Sequence, residues 1–289
     1  MLTGILVSGL GLGSMYGLVA LGFHITFAVS GTVNFAQGSA VTLGAVLGYA
    51  FGVRLGWPMP LAAAAALAGC ALLGLAVERL LVRPFVARGS DAWLLATVAG
   101  GIILDNALLF TFGKEPRSLP SALVAAPVQV LGAGIYPLQL AIPAVGIAAA
   151  LAIRAVFRGT ELGRVLLAVA QNTEAARLMG IDVGRTIACA FALSAVLAGT
   201  AGLLIAPLFS VSAEMGALFG IKAFAVAILG GIGSATGVVL AGLLYGLVEA
   251  GVTATLGSGA TQIVVFSVII LALALRPNGL LGRAAVNKV

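Results

Sequence analysis

Residues 171–209 read QNTEAARLMGIDVGRTIACAFALSAVLAGTAGLLIAPLF, a short polar stretch that runs straight into an apolar one. After Arg185 no charged residue follows until Glu214, a length that suits a helix crossing a hydrocarbon core of about 30 Å. The same pattern fills the chain, with apolar runs near 4–29, 38–53, 58–82, 92–113, 137–157, 185–209, 217–233, 236–256 and 260–276. The breaks between them carry Gly, Pro and polar residues. The runs at 38–53 and 217–233 are short for full crossings, which predicts broken or tilted helices.

Composition agrees. Of 289 residues 61% are hydrophobic and 8% charged, and mean hydropathy is +1.19. A water-soluble domain carries roughly 25% charged residues, so this chain lacks the polar surface to face water. The expected fold class is all-α: one polytopic transmembrane bundle over 1–289, with eight or nine membrane elements. Many of the 40 glycines sit inside apolar runs at small-xxx-small spacing, which lets membrane helices approach closely. Cys70 and Cys189 lie within apolar runs without metal or disulfide spacing, so both are read as packing residues.

The formal charge of +6 does not point to nucleic acid, because the basic residues cluster in a few linkers. Placing 83–90, 158–184 and the C-terminus on one side gives it Arg79, Arg83, Arg88, Arg154, Arg158, Arg164, Arg177, Arg185, Arg276, Arg283 and Lys288. The other side holds Arg54, Lys114 and Arg117. By the positive-inside rule the richer side is cytoplasmic. The opening residues show no basic n-region or cleavage site, so no removable signal peptide is expected.

The polar stretch is thus a cytoplasmic element inside the loop 158–184. Asn172 or Thr173 suits an N-cap, Glu174 complements the positive helix end, and Gly180 provides the stop. Upstream, Leu162, Val165, Leu166 and Val169 share one face at helical spacing, as in a helix lying along the membrane surface.

Polar residues at membrane depth are the other candidates, since charge there disfavours insertion by about 2.5–3.5 kcal/mol. Asp105, Asn106, Lys222 and Glu249 are read as buried groups, with Lys222 and Glu249 either paired or near the interface. His24, the only histidine, is read as a packing residue. SGTVNFAQGSA at 30–40 interrupts apolar sequence without a charge, and LGGIGSATGVVLAG at 229–242 has a similar form. Irregular backbone at membrane depth needs a protein or water-filled surrounding, so Thr32, Asn34, Gln37 and Ser234 are expected along a translocation path. The Pro- and Gly-rich segment 114–136 is an outer loop that offers Lys114, Glu115 and Arg117.

Several stretches carry a family resemblance. EAARLMG at 174–180 resembles the short cytoplasmic helix of ABC importer permeases that docks into the ATP-hydrolysing subunit. GSMYGLVALGFHITFAVSGTVNFAQG at 13–38, ERLLVRPF at 78–85 and LGRVLLAVAQNTEAARLMGID at 162–182 are similar to the inner-membrane permeases of branched-chain amino acid ABC importers, LivH type. So are GIKAFAVAILGGIGSATGVVLAGLLYGLVE at 220–249 and LRPNGLLG at 275–282. The longer importer signature continues with Leu-Pro after its glycine; here IDVGRTIACAFAL follows Gly180 without that Pro.

The resemblance implies a multi-pass protein of the bacterial inner membrane, acting as a non-catalytic transport subunit. Its partners would be two ABC ATPases, a second LivM-like permease or a second copy, and an extracytoplasmic binding protein. Glu174, Ala175, Ala176, Arg177 and Gly180 would couple to the ATPase, with the small alanines allowing close approach and Glu174 and Arg177 pairing across the contact. ATP and Mg²⁺ would sit in the partners, in keeping with the lack of a GxxxxGK[ST] loop. A secondary transporter driven by an ion gradient is the alternative, suited to helix breaks with Asp105, Lys222 and Glu249. An intramembrane enzyme has little acid–base chemistry available with one histidine.

Overall fold

The computed structural model describes residues 2–124, 126–130, 133–276 and 279–282. Among the described residues there are twelve α-helices and one small hairpin, nine of the helices on the apolar runs. The helices are α1 (Leu2–Ser30), α2 (Gln37–Tyr49), α3 (Met59–Ala76), α4 (Arg83–Val86), α5 (Trp93–Phe112) and α6 (Pro137–Gly159). Then come α7 (Glu161–Gln171), α8 (Thr173–Leu178), α9 (Val183–Phe209), α10 (Met215–Gly230), α11 (Ala235–Leu256) and α12 (Ser258–Leu275). Wider π turns at Ala50–Arg54 and Val77–Val82 prolong α2 and α3. Strands β1 (Val128–Val130) and β2 (Ala133–Ile135) pair antiparallel in the 114–136 loop, with Val128 opposite Ile135.

Among the described residues, seven helices are long and apolar enough to cross a membrane. The two runs read as short are short here too: α10 spans 16 residues and α2 spans 13 before its π turn. The protein is an all-α polytopic bundle.

α1 is the spine, packing against α11, α9, α6 and α10. Glycines make this possible. A Cβ on Gly13 would stand 2.7 Å from the Gly242 carbonyl oxygen, and one on Gly242 would stand 2.7 Å from Gly17 Cα. The two backbones therefore touch, and close van der Waals packing is what holds helices together where lipid is as apolar as the side chains. Gly242→Val is expected to lower stability by about 1–3 kcal/mol, read as a lower Tm in detergent. Gly251→Ala, on the same helix with nothing within 4 Å of the added Cβ, should match the wild type.

α1 ends at Gly31, where φ is +68° and the Gly31 N–H donates to the Phe27 carbonyl at 2.9 Å. The chain then runs irregularly to Gln37, and α2 starts against the middle of α9 at Ser194. Gly38 meets Gly216 and Gly220, so the first turns of α2 and α10 lie in backbone contact.

The basic residues sort to two ends. At one, Arg83 Nη2 donates to the Gly184 carbonyl at 3.0 Å, while Arg154 and Arg158 stand with Ser30 and Gly233. At the other, Arg54 and Arg117 lie over the Phe112 ring at 5.9 and 4.8 Å. Arg283 and Lys288, counted with the first group from sequence, lie outside the described residues.

Candidate functional site

The loop between α6 and α9 is folded throughout, and side-chain caps set its corners. Thr160 ends α6 and caps α7, its Oγ1 accepting from the Gly163 N–H at 3.1 Å. Asn172 ends α7 and caps α8, its Oδ1 accepting from the Ala175 N–H at 3.0 Å. Asp182 opens α9 in the same way, accepting from the Arg185 N–H at 3.0 Å. Each cap meets a backbone donor that a helix start would leave unpaired.

Within α8, Ala176 is buried against the bundle, while Leu178 and Met179 are 88% and 82% exposed. An apolar pair therefore stands exposed at the tip of a polar helix. Gly180 has φ +80° and open space around it, and its N–H donates to the Arg177 carbonyl at 3.0 Å. A left-handed residue here reverses the chain into α9, which is why glycine stands there. Glu174 and Arg177 were expected to reach across to a partner. In the isolated chain they face each other, one turn apart, at 3.6 Å.

The apolar face of α7 is also rotated from its expected position. Gly163, Leu166 and Val169 are buried, whereas Leu162 is 47% exposed. The reason is Gly163, which lets α7 press onto the backbone of Val156 and Phe157 and turns the small residue inward. Leu162 and Val165 line a groove of ≈ 490 Å³ with Ile181 and Cys189. Cys189 is exposed there rather than packed; Cys70 is buried.

A larger vestibule of ≈ 1030 Å³ opens at this end, between the end of α1, α6, α7 and the turn after α10. His24, Ser30, Arg154, Arg158, Gln171 and Thr173 are among its walls, so the loop between α6 and α9 borders the cavity directly. His24 Nδ1 donates to the Ile232 carbonyl at 2.7 Å and ties α1 to that turn. Ser234 sits at its edge and caps α11, accepting from the Gly237 N–H at 3.2 Å.

The polar break after α1 is closed in this conformation. Thr32, Asn34 and Gln37 are all buried. Asn34 Oδ1 accepts from the Ala36 N–H at 3.1 Å, and its Nδ2 donates to Gln37 Oε1 at 3.4 Å. Gln37 Nε2 donates to the Ser194 carbonyl at 3.0 Å, and Ser194 Oγ donates back to Gln37 Oε1 at 3.0 Å. Gln37, with Asn34 bonded to it, braces α2 against α9, because a break at membrane depth must satisfy its own polar groups.

The charged candidates separate. Lys222 and Glu249 meet at 2.5 Å, with Lys222 Nζ also donating to Tyr16 Oη at 3.4 Å. Asn106 is exposed and its Nδ2 donates to the Ile102 carbonyl of its own helix at 2.8 Å. Asp105, one residue earlier, turns the other way into a groove between α5 and α10. In the outer loop Arg117 is not free: its backbone pairs with Val211 through N–H donors at 2.9 and 2.7 Å. Lys114 and Glu115 are exposed. Among the described residues no group of three or more His, Cys, Asp or Glu is placed to hold a metal ion.

Comparison with known proteins gives this arrangement a family. The model for "Branched-chain amino acid transport system / permease component" matches residues 5–274. The chain belongs to that permease family. It is 32% identical to the high-affinity branched-chain amino acid transport system permease protein LivH of Escherichia coli K12, over 98% of this chain and 96% of LivH. Identity to the corresponding protein BraD of Pseudomonas aeruginosa is also 32%, over 98% and 97%. A more distant relative is the autoinducer 2 import system permease protein LsrC of an Enterobacter species, 33% identical over 74% of this chain and 60% of LsrC. The protein is therefore a multi-pass membrane permease component.

Proposed function

We propose that this chain forms half of the membrane path of an ATP-driven importer for branched-chain amino acids, in the inner membrane. The supporting observation is α8, a capped helix that presents Leu178 and Met179 outward beside the vestibule. Two ATPase subunits grip the two coupling loops of a permease pair, this chain and a LivM-like partner or a second copy. A binding protein delivers cargo to the opposite end, near the hairpin and the exposed Lys114 and Glu115. ATP and Mg²⁺ belong to the ATPases.

Mechanically, Ala176 seats α8 on the bundle while Glu174, Ala175, Arg177 and the tip beyond them face the ATPase cleft. Docking turns Glu174 and Arg177 from each other toward the partner at small cost, because an exposed ion pair contributes only about 0–1 kcal/mol. Closure of the ATPases moves α8, and with it α7, the wall of the vestibule. The vestibule ends at Ser30 and Gly31; its deepening past Thr32, Asn34 and Gln37 opens the path inward, with Ser234 at its mouth.

The test is mild-detergent purification of the tagged chain from cells that make its neighbours, with mass spectrometry of co-eluting proteins and labelled leucine uptake. An ABC ATPase and a second permease are expected. A chain that elutes alone while uptake follows an imposed ion gradient would replace this reading with the secondary carrier.

A further inference from the structure

The α5–α10 groove has a volume of ≈ 310 Å³, within the size range of small-molecule sites, about 300–1,000 Å³. Among the described residues, Asp105 is the only ionisable side chain on its walls. Its Oδ1 is buried without a hydrogen-bond partner among the described residues. The residue lies well inside the 20-residue span of α5, where a carboxylate persists only if it faces protein or a pathway. The neighbouring hydroxyl of Ser39 donates to the Gly101 carbonyl at 3.2 Å, fixing α2 against α5 beside the carboxylate.

Two other walls complete the chemistry. Gly38 and Ser39 bring the first turn of α2 to the groove. Asn34 takes the Ala36 and Gln37 N–H groups at that turn, while those of Gly38 and Ser39 meet no backbone acceptor outside the helix among the described residues and mark the positive end of the helix dipole. Phe23 and Phe35 each pack edge-on against Phe224, at 5.5 and 5.2 Å between ring centroids, and all three line the remaining surface. The groove thus offers a negative group, a positive helix end and an apolar wall within one small volume.

We infer that this groove binds a zwitterionic amino acid with an aliphatic side chain, Asp105 taking the ammonium group. The carboxylate lies toward the first turn of α2 and the side chain against the phenylalanines. The inference rests on the importer reading and adds to it a place and a set of contacts for the cargo inside the membrane. It also gives Asp105 a role that neither Asn106 nor the closed Lys222–Glu249 pair fills.

The experiment uses the full chain, with whatever partners co-purify, in lipid nanodiscs. Saturation-transfer NMR is recorded with L-leucine and with 4-methylpentanoate, which keeps the carboxylate and side chain but lacks the amine. Leucine is expected to bind and 4-methylpentanoate to bind at least about tenfold more weakly, the loss of one charge-assisted hydrogen bond. Asp105→Asn should weaken leucine by a similar factor, and Asp105→Glu should recover part of it, while both elute like the wild type. Equal binding of the two ligands, leucine binding unchanged in Asp105→Asn, or no leucine signal from the wild type would overturn the assignment. Leucine uptake by cells carrying the wild-type chain separates the two readings. Uptake present with the groove unresponsive removes this inference alone; uptake absent removes the importer reading itself.

Discussion

Gly180→Pro is expected to reduce amino-acid uptake to background while leaving the protein in the membrane at its normal level. The position demands φ +80° and an N–H that reaches the Arg177 carbonyl. Proline fixes φ near −65° and has no N–H, so the reversal from α8 into α9 cannot form. The damage is confined, because nothing lies within 4 Å of a Cβ at Gly180 and the bundle beneath is held by other contacts. Glu174→Lys should have the same outcome by a different route. It sets a second cation one turn from Arg177 and opposes the positive start of the helix. Labelled leucine uptake, membrane yield by immunoblot and ATPase recovery in a pull-down make up the measurement. Near-normal uptake in both variants would end the assignment of α8 as the coupling element.

The second large effect concerns stability. Lys222→Met or Glu249→Leu alone should destabilise the folded bundle by about 3–5 kcal/mol, since each leaves one buried charge without its counter-ion. Both side chains are about nine-tenths buried, and the rings of Tyr16 and Tyr245, 5.1 Å apart, pack edge-on beside them. The double variant Lys222→Met with Glu249→Leu should recover much of that loss, because it removes both desolvated charges together. Thermal unfolding of the three variants in one detergent measures this. Additive losses in the double variant would mean that the two residues act through separate contacts. Recovered stability with normal uptake would show the pair to be structural, and would take from the gradient-driven alternative the charges it needs.

Which features were readable from sequence depends on how local their cause is. Each apolar run became a helix, and the two short runs became α2 and α10, the shortest helices among those runs, because span length and turn residues are properties of a local window. The cap at Asn172 and the stop at Gly180 were legible for the same reason. What failed depended on distant neighbours. The face of α7 was misplaced because Gly163 counts as nothing in a hydrophobic pattern, yet it faces the backbone of α6. The brace of Gln37 on Ser194 was not legible, because the two lie 157 positions apart. Asp105 and Asn106 are adjacent letters, and only the packing of α5 on α2 shows that one enters a groove and the other faces outward.

The glycine seam between α1 and α11 has a consequence for the making of the protein. α1 is synthesised more than two hundred residues before α11 is complete, a delay on the order of ten seconds or more at cellular elongation rates of about 5–20 residues per second. During that interval its most closely fitted surface, at Gly13 and Gly17, has no mate. α1 can meanwhile pack on α6, α9 and α10, which are made earlier, but the side that receives α11 stays uncovered until that helix arrives. A ribosome that stalls before α11 leaves a chain whose spine is packed on its earlier neighbours and bare along the glycine seam.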